Sequence, residues 1–423
     1  MQQSPGGEAG AVLLEDSARR KWPKVVRALR NPNFRLFWSG NFTSNIGTWM
    51  QNVAQGWWVV LHMKDSPFWL GVVGFSGAIP FLLFMLFGGV IADRVDKRRL
   101  LLVTQTVMMV LAFILAGLAY LKMLTVGELA LLAFLNGTAL AMNNPSYQAM
   151  VPKLVVREDL TNAIALNSAQ FNMSRILGPT LGGYAMAAFG VAGNFFLNGV
   201  SFVAVLVALS RIRYPEEELV RHEGLMDSLV SGFRYVRSKP QMHVLMWMIA
   251  VSSFLTIPFL TFIPYFAKNE LHVGESGLGL LLAASGAGAV LGAVTVASQS
   301  AIRNRGRLIS FCGAAVMALV VVFCYSHSVA LSEVCMLFEG FGIILTISSV
   351  NVAMQTLSSD AMRGRVMSIY GTCFLGLPPL GALLAGELSR QIPTNHALAA
   401  MAGISSLAYV GFFAFSRALR ELD

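Results

Sequence analysis

Two ionisable residues stand alone in long apolar stretches of this sequence. Arg175 lies in the segment FNMSRILGPT, and Glu339 lies in the segment CMLFEGFGII. An ionisable group inside an apolar helix is costly unless it is paired or solvated, so such residues are candidates for moving an ion or binding a charged ligand. We expect Glu339 to carry a proton, and Arg175 either to bind an anionic group or to pair with Glu339. The alternative is a static buried ion pair.

Polar side chains recur at helical spacing near the start of the chain. Asn41, Asn45, Thr48, Asn52 and Gln55 are four, three, four and three positions apart, which places them on one face of a helix. This face is predicted to line a wet cavity, because buried amides are costly unless they are solvated or paired. Hydrogen bonds between packed helices are the competing explanation. Further candidates for the same cavity are Asn136, Asn144, Tyr147 and Asn172, with Trp57 and Trp58 adding aromatic surface.

Long apolar runs must form the elements that position these residues. The 423 residues are 55% hydrophobic and have a mean hydropathy of +0.63, which excludes an ordinary soluble domain. A helix needs about 20 apolar residues to cross a bilayer. The sequence therefore predicts an all-α integral membrane protein with twelve spans. The predicted spans are 34–61, 68–92, 100–121, 126–150, 161–189, 193–210, 241–267, 276–301, 307–326, 330–356, 364–390 and 396–417.

The basic residues concentrate on one side of the predicted membrane. With the N-terminus inside, most of the 31 lysines and arginines fall in the terminal tails and the even-numbered loops. This pattern predicts cytoplasmic termini. The expected location is a bacterial inner membrane. The net charge of +9 is then explained by topology and by contact with anionic lipids, and no nucleic-acid partner is predicted.

The longest polar interval divides the predicted spans into six and six. The expected organisation is a cytoplasmic tail with an interfacial helix (1–30), a six-helix bundle (31–210), a linker with an amphipathic helix (211–239) and a second six-helix bundle (240–423). Weak matches between the halves, such as GPTLGG at 178–183 and PPLGA at 378–382, indicate two pseudo-repeats. Repeats of this kind place a substrate site at their interface near the middle of the bilayer.

Signatures of catalysis and of cofactor binding are missing from the sequence. The four cysteines and six histidines show no metal-type spacing, and no GxxxxGK[ST] phosphate loop occurs. We expect no enzymatic activity, no metal and no cofactor, with a proton gradient as the energy source. One proton moving down ~100 mV releases ~2.3 kcal/mol. A membrane-embedded enzyme or sensor is the distant alternative.

The loop after the second predicted span is FGGVIADRVDKRRLL, residues 87–101. It resembles the loop signature of the major facilitator superfamily, although that signature usually has glycine where Asp96 stands. The matching residues are Gly89, Asp93, Arg94, Lys97 and Arg98. The resemblance implies the major facilitator fold and a cytoplasmic gate, in which Asp93 meets the start of the eleventh span. The partner charges there are Asp360, Arg363 and Arg365.

The segment ILGPTLGG in the fifth span is similar to the antiporter motif of the same superfamily, with Gly178, Pro179, Gly182 and Gly183 in the motif positions. With residues 31–60 and RGRVMSIY, it resembles the branch that contains the enterobactin exporter, macrolide efflux proteins and transmembrane secretion effectors. The resemblance implies export of an amphipathic drug, siderophore or secondary metabolite by proton antiport and alternating access, with a monomer as the expected working unit. A lipid or lysolipid translocase, or an organic-anion importer that uses Arg175, is the alternative.

Overall fold

The computed structural model describes residues 23–212, 225–298 and 304–422, and within them the backbone alone at residues 24, 85–94, 225–230, 297 and 361. Every regular element in these ranges is helical. The longer helices are α1 (Pro32–His62), α2 (Ser66–Arg94), α3 (Lys97–Tyr120), α4 (Val126–Met150), α5 (Leu160–Arg211), α6 (Leu225–Ser238), α7 (Pro240–Leu255), α8 (Ile263–Asn269), α9 (Glu275–Ser298), α10 (Arg305–Cys324), α11 (Val329–Leu357), α12 (Asp360–Leu388) and α13 (Thr394–Phe415). Short helices occupy Lys24–Arg30, Ile257–Phe262 and Arg417–Arg420.

Ten helical segments of the described chain are long and apolar enough to cross a membrane. Two features account for the difference from the twelve predicted spans. The fifth and sixth spans form one helix, α5, which is broken at Gly190, where φ is +69°. Helix α1 is not among the ten, because its amide and hydroxyl side chains lower its hydropathy. The seventh predicted span, 241–267, is not one continuous helix, because α7 ends at Leu255 and the chain continues through the Ile257–Phe262 turn into α8. The other predicted bounds lie within four residues of an observed helix end or of the break at Gly190.

Local sequence signals set several helix ends. Pro32 and Pro240 stand at the first positions of α1 and α7, where a missing backbone N–H costs nothing. Thr125 and Glu128 form a reciprocal capping box at the start of α4. Asp96 accepts a 2.7 Å hydrogen bond from the backbone N–H of Arg99, so it caps α3 at the position where the superfamily signature usually has glycine.

The core is shared between the two halves of the chain at one end only. We refer to residues 32–211 as the N half and residues 240–420 as the C half. We call the end of the molecule that carries Lys24–Arg30 and Arg417–Arg420 the terminus end, and we call the opposite end the far end. At the far end, one buried cluster contains side chains of both halves, such as Trp57 and Phe262. At the terminus end, the described buried side chains form two clusters, each from one side of the molecule. The halves therefore pack together at the far end and separate toward the terminus end.

Candidate functional site

A cavity of about 530 Å³ lies between the halves. This volume is within the range of small-molecule sites, which is ~300–1,000 Å³. Helices α1, α2, α4 and α5 form one wall, and α8, α9, α11, α12 and the Ile257–Phe262 turn form the other. The shared core closes the cavity on the far-end side.

Polar groups of the N half line part of this cavity. Thr48, Asn52 and Gln55 of α1 and Asn136 of α4 are all lining residues, as is Trp49. The Thr48 hydroxyl donates a 3.0 Å hydrogen bond to the carbonyl oxygen of Ser44, whereas the amides of Asn52, Gln55 and Asn136 have no protein partner among the described contacts. These amides are therefore available to a ligand.

The other predicted cavity residues lie outside the lining. Asn41 is buried and donates to the Phe37 carbonyl at 2.9 Å, and Asn45 lies near it, closer to the terminus end than Thr48. Tyr147 donates to Asn167 Oδ1 at 3.0 Å and stacks on Phe37 with ring centroids 5.0 Å apart. Asn144 is half-buried away from the lining, and Asn172 donates to the carbonyl of Ser168 on its own helix.

The aromatic surface of the cavity differs from the one expected. Trp57 and Trp58 are 3% and 6% exposed and belong to the shared core rather than to the cavity wall. Trp49 and Phe374 line the cavity instead. Helical spacing could have identified Trp49, because it follows Thr48 and precedes Asn52 by three positions. Phe374 carried no comparable signal, since its helix is apolar on several faces.

Both isolated charges lie on the cavity wall. Glu339 of α11 is 5% exposed and accepts a 2.8 Å hydrogen bond from Ser285 Oγ of α9. Arg175 of α5 has no hydrogen bond or ion pair among the contacts that the structure describes. The two charges act on each other electrostatically without a direct ion pair in the described contacts. The cavity therefore presents to the same space a buried carboxyl group and a guanidinium group that has no partner among the described residues. Sequence reasoning missed Ser285, which no motif marks.

The predicted gate residues are only partly described. Gly89, Asp93 and Arg94 are described by their backbone alone. The contact of the Asp93 side chain with α12 therefore stays a prediction. Arg98 donates to the carbonyl oxygens of Leu209 and Ser210 at 2.7 and 2.8 Å, and thus caps the end of α5. Lys97 is buried.

The charges at the start of α12 contact neighbours on their own side of the molecule. Asp360 and Arg363 form an ion pair of 2.7 Å within the helix. Arg365 donates a 2.8 Å hydrogen bond to Ser231 Oγ of α6. Arg363 Nε also donates a 3.4 Å hydrogen bond to the carbonyl oxygen of Gln355 at the end of α11. The described contacts of these residues are thus made with α12 itself, with α11 and with the linker helix.

The glycine segment of α5 packs closely on two sides. A Cβ atom at Gly178 would meet the Cβ of Trp49 in α1, and one at Gly182 would lie 3.1 Å from the Cα of Met50. A Cβ at Gly183 would lie 2.6 Å from the Glu275 carbonyl oxygen in α9 of the C half. Pro179 lines the cavity. The segment thus joins α5 to α1 within the N half and to α9 across the halves.

Several characterised transporters are similar to this chain over most of its length. The Staphyloferrin A transporter of Staphylococcus aureus is 25% identical over 390 residues, covering 90% of this chain and 95% of that protein. The Multidrug efflux pump Tap of Mycolicibacterium fortuitum is 26% identical over 86% of this chain and 91% of its own length. The Enterobactin exporter EntS of Citrobacter koseri is 27% identical over 91% of this chain and 92% of its own length.

Solved transporter structures have the same fold. The nucleoside transporter NupG superposes with a TM-score of 0.67 at 13% sequence identity, covering 88% of this chain and 98% of that chain. A bacterial homolog of the human lysosomal transporter Spinster, in an inward-facing and unoccupied conformation, superposes with a TM-score of 0.67 at 14% identity over 95% of this chain and 97% of that chain.

The family model described as "Transmembrane secretion effector" matches residues 25–423. The match covers both halves and the cavity between them, and it agrees with the resemblance seen in the sequence. The expectations of a transporter and of no enzymatic activity are confirmed by this family and by the relatives. The chain therefore belongs to the transmembrane secretion effector family of the major facilitator superfamily.

Proposed function

We propose that this protein exports an amphipathic small molecule by alternating access, driven by proton antiport. The observation that carries the proposal is the cavity between the halves, which is closed at the far end and holds Glu339 and Arg175 on its wall. The relatives named as exporters and as an efflux pump support the direction of transport. The mixed lining, with amides beside Trp49 and aliphatic side chains, suits a ligand with polar and apolar parts.

The proposal includes twelve membrane crossings in two six-helix repeats. The break at Gly190 supports two crossings within α5, because its positive φ interrupts the helix where the predicted fifth and sixth spans meet. Helix α1 counts as a crossing because its polar face contributes to the cavity and need not contact lipid. With cytoplasmic termini, the terminus end faces the cytoplasm and the far end faces outward. The working unit is a monomer surrounded by membrane lipids.

Glu339 is the proposed proton carrier. Its carboxyl group lies where a ligand would bind, and Ser285 Oγ donates to one of its oxygens. A cationic ligand that takes this place stabilises the carboxylate and so favours loss of the proton, so that ligand and proton occupy the cavity in turn. Exchange of that kind is antiport, and one proton moving down ~100 mV supplies ~2.3 kcal/mol.

A second candidate function is uptake of an organic anion. The guanidinium group of Arg175 favours it, since this group has no partner in the part of the chain that the structure describes and an anionic ligand would satisfy it. An anion bound to Arg175 would also cancel the positive charge that acts on Glu339. The proton would then bind Glu339 together with the anion, and an inward proton gradient would drive both inward. The two candidates therefore differ in the sign of the coupling between ligand and proton.

Proton release upon ligand binding distinguishes the two candidates. The purified protein is mixed in weak buffer with a cationic rhodamine ester, and separately with an anionic fluorescein that shares its ring system, while a pH indicator is followed. Antiport predicts proton release with the cationic dye, and anion uptake predicts proton consumption with the anionic dye.

Variants identify the groups responsible. Glu339→Gln is expected to abolish the pH change with either dye while binding persists. The matched control is Glu333→Gln, which changes another carboxyl group of α11 outside the cavity lining. Arg175→Gln should abolish the response to the anionic dye alone. An unchanged proton signal in Glu339→Gln would reject Glu339 as the carrier.

A further inference from the structure

Polar contacts join the two halves at the far end. Trp57 Nε1 of the N half donates a 3.1 Å hydrogen bond to Glu275 Oε1 of the C half. Lys268 Nζ of the C half donates a 2.9 Å hydrogen bond to the carbonyl oxygen of Val60, one helical turn from Trp57. In each of these contacts the C half supplies a charged group and the N half supplies an uncharged partner.

These contacts border the shared core. Trp57 is 3% exposed and packs in the cluster that contains side chains from both halves. Glu275 is the first residue of α9, and its carbonyl oxygen also packs against Gly183 of α5. Lys268 lies in the last turn of α8, the helix that follows the Ile257–Phe262 turn of the cavity wall. Movement of the halves at this end would change the same elements that line the cavity.

We propose that Trp57, Glu275 and Lys268 form a polar lock that holds the far end closed and must break in each transport cycle. The inference rests on the alternating access of the proposed function, but not on its ligand, direction or coupling ion. Because the N-half partners are neutral, an opened lock leaves an indole N–H and a backbone carbonyl that water can satisfy. The charges of Glu275 and Lys268 likewise gain water when the far end opens. The lock is therefore breakable, unlike a buried pair of opposite charges.

The lock makes a quantitative prediction for the conformational equilibrium. A hydrogen bond to a charged group contributes enough to change an equilibrium constant about tenfold or more. Trp57→Phe keeps the aromatic ring and removes the N–H donor. Glu275→Ala removes the acceptor. Each variant is expected to raise the ratio of far-end-open to far-end-closed molecules about tenfold.

The test measures the distance between two spin labels across the far end by double electron–electron resonance. Spin labels are attached at Asp65 of the N half and Gln391 of the C half, both exposed, in a protein whose four native cysteines are replaced by serine or alanine. The lock predicts that a longer distance gains population in Trp57→Phe, in Glu275→Ala and in Lys268→Met.

Matched variants distinguish the loss of a lock hydrogen bond from a general loss of packing. Trp58→Phe makes the same chemical change in the next residue, which is also buried in the shared core but has no described hydrogen bond across the halves. Lys64→Met removes an exposed lysine at the same end. Both controls are expected to keep the wild-type distance distribution.

A double-mutant cycle tests the pairing itself. If Trp57 and Glu275 act through one hydrogen bond, the double variant Trp57→Phe with Glu275→Ala should show the shift of a single variant. Lys268→Met should add its effect, since it removes a different bond. The proposal is overturned if Trp57→Phe matches Trp58→Phe, or if the Trp57 and Glu275 effects are fully additive. The distances are measured without substrate, so failed transport by the wild type would reject the proposed function and leave this result standing.

Discussion

The two ends of the molecule are held together in different ways. At the far end, both halves share one core and hydrogen bonds cross between them. At the terminus end, each half is covered by a segment that lies outside it in sequence, which is Lys24–Arg30 for the N half and α6 for the C half. The proposed alternating access needs stiff halves and a breakable interface, and we expect the terminus end to provide the stiffness and the far end to provide the breakable interface.

The terminal segments themselves differ in strength. In the N half, Asp159 is fully buried where α5 begins. Arg30 Nε donates to it at 2.9 Å, and Arg27 Nε forms an ion pair with its other oxygen at 2.6 Å. In the C half, the residue that precedes α12 is the exposed Ser359, whose backbone N–H donates to the Tyr235 hydroxyl at 3.2 Å. The N-half segment is fixed by charge, and the C-half segment is held by exposed hydrogen bonds.

Removing the buried charge of Asp159 is expected to have the largest effect. Asp159→Asn should destabilise the protein by about 3 kcal/mol, the lower part of the range for a broken buried pair, because Arg27 and Arg30 retain partial access to water. Thermal unfolding of the purified protein measures this loss. Asp360→Asn, at the start of α12, changes an exposed carboxylate and should cost less than about 1 kcal/mol. Equal losses of stability in Asp159→Asn and Asp360→Asn would contradict the proposed difference between the two terminal segments.

A methyl group placed between the halves tests the far end by adding a steric clash instead of removing a hydrogen bond. Gly183→Ala should disfavour the closed far end by about 1–3 kcal/mol, since its Cβ would lie 2.6 Å from the Glu275 carbonyl oxygen. Gly178→Ala makes the same change within the N half, against Trp49, and should lower stability without opening the far end. The label pair at Asp65 and Gln391 and thermal unfolding distinguish the two outcomes. A change in the far-end label distance in Gly178→Ala would show that packing inside the N half also affects the interface between the halves.

The smallest expected effect concerns Tyr235 in the C-half segment. Hydrogen bonds from Lys239 and Ser359 lower the pKa of Tyr235 from the ordinary tyrosine value to about 8. A lowered pKa in the folded state means that docking of α6 is strongest above about pH 10, the unfolded value, and weakens as the pH falls through 8. Tyrosinate absorbance should show one group titrating near pH 8 that is lost in Tyr235→Phe. If the titration near pH 8 persists in Tyr235→Phe, it belongs to another tyrosine.

Hydropathy and motif spacing determined the class of protein and most helix bounds. The apolar runs predicted most helix bounds to within four residues, because a bilayer requires a minimum length of apolar helix. They did not predict that the seventh span is divided into α7, the Ile257–Phe262 turn and α8. The loop signature and the glycine segment predicted the superfamily, which the family match confirms. The isolation of Arg175 and Glu339 in apolar stretches identified both charges that line the cavity.

Tertiary structure alone decided which neighbour each helix face meets. The spacing of Asn41 to Gln55 places all five residues on one face, yet only the part nearer the far end lines the cavity. Trp57 lies next in sequence to cavity residues, but the C half covers it and supplies Glu275 from 218 positions away. Periodicity defines the direction of a side chain from its own helix axis. It does not define the distance to another helix, which depends on how two separate bundles pack at one end and part at the other.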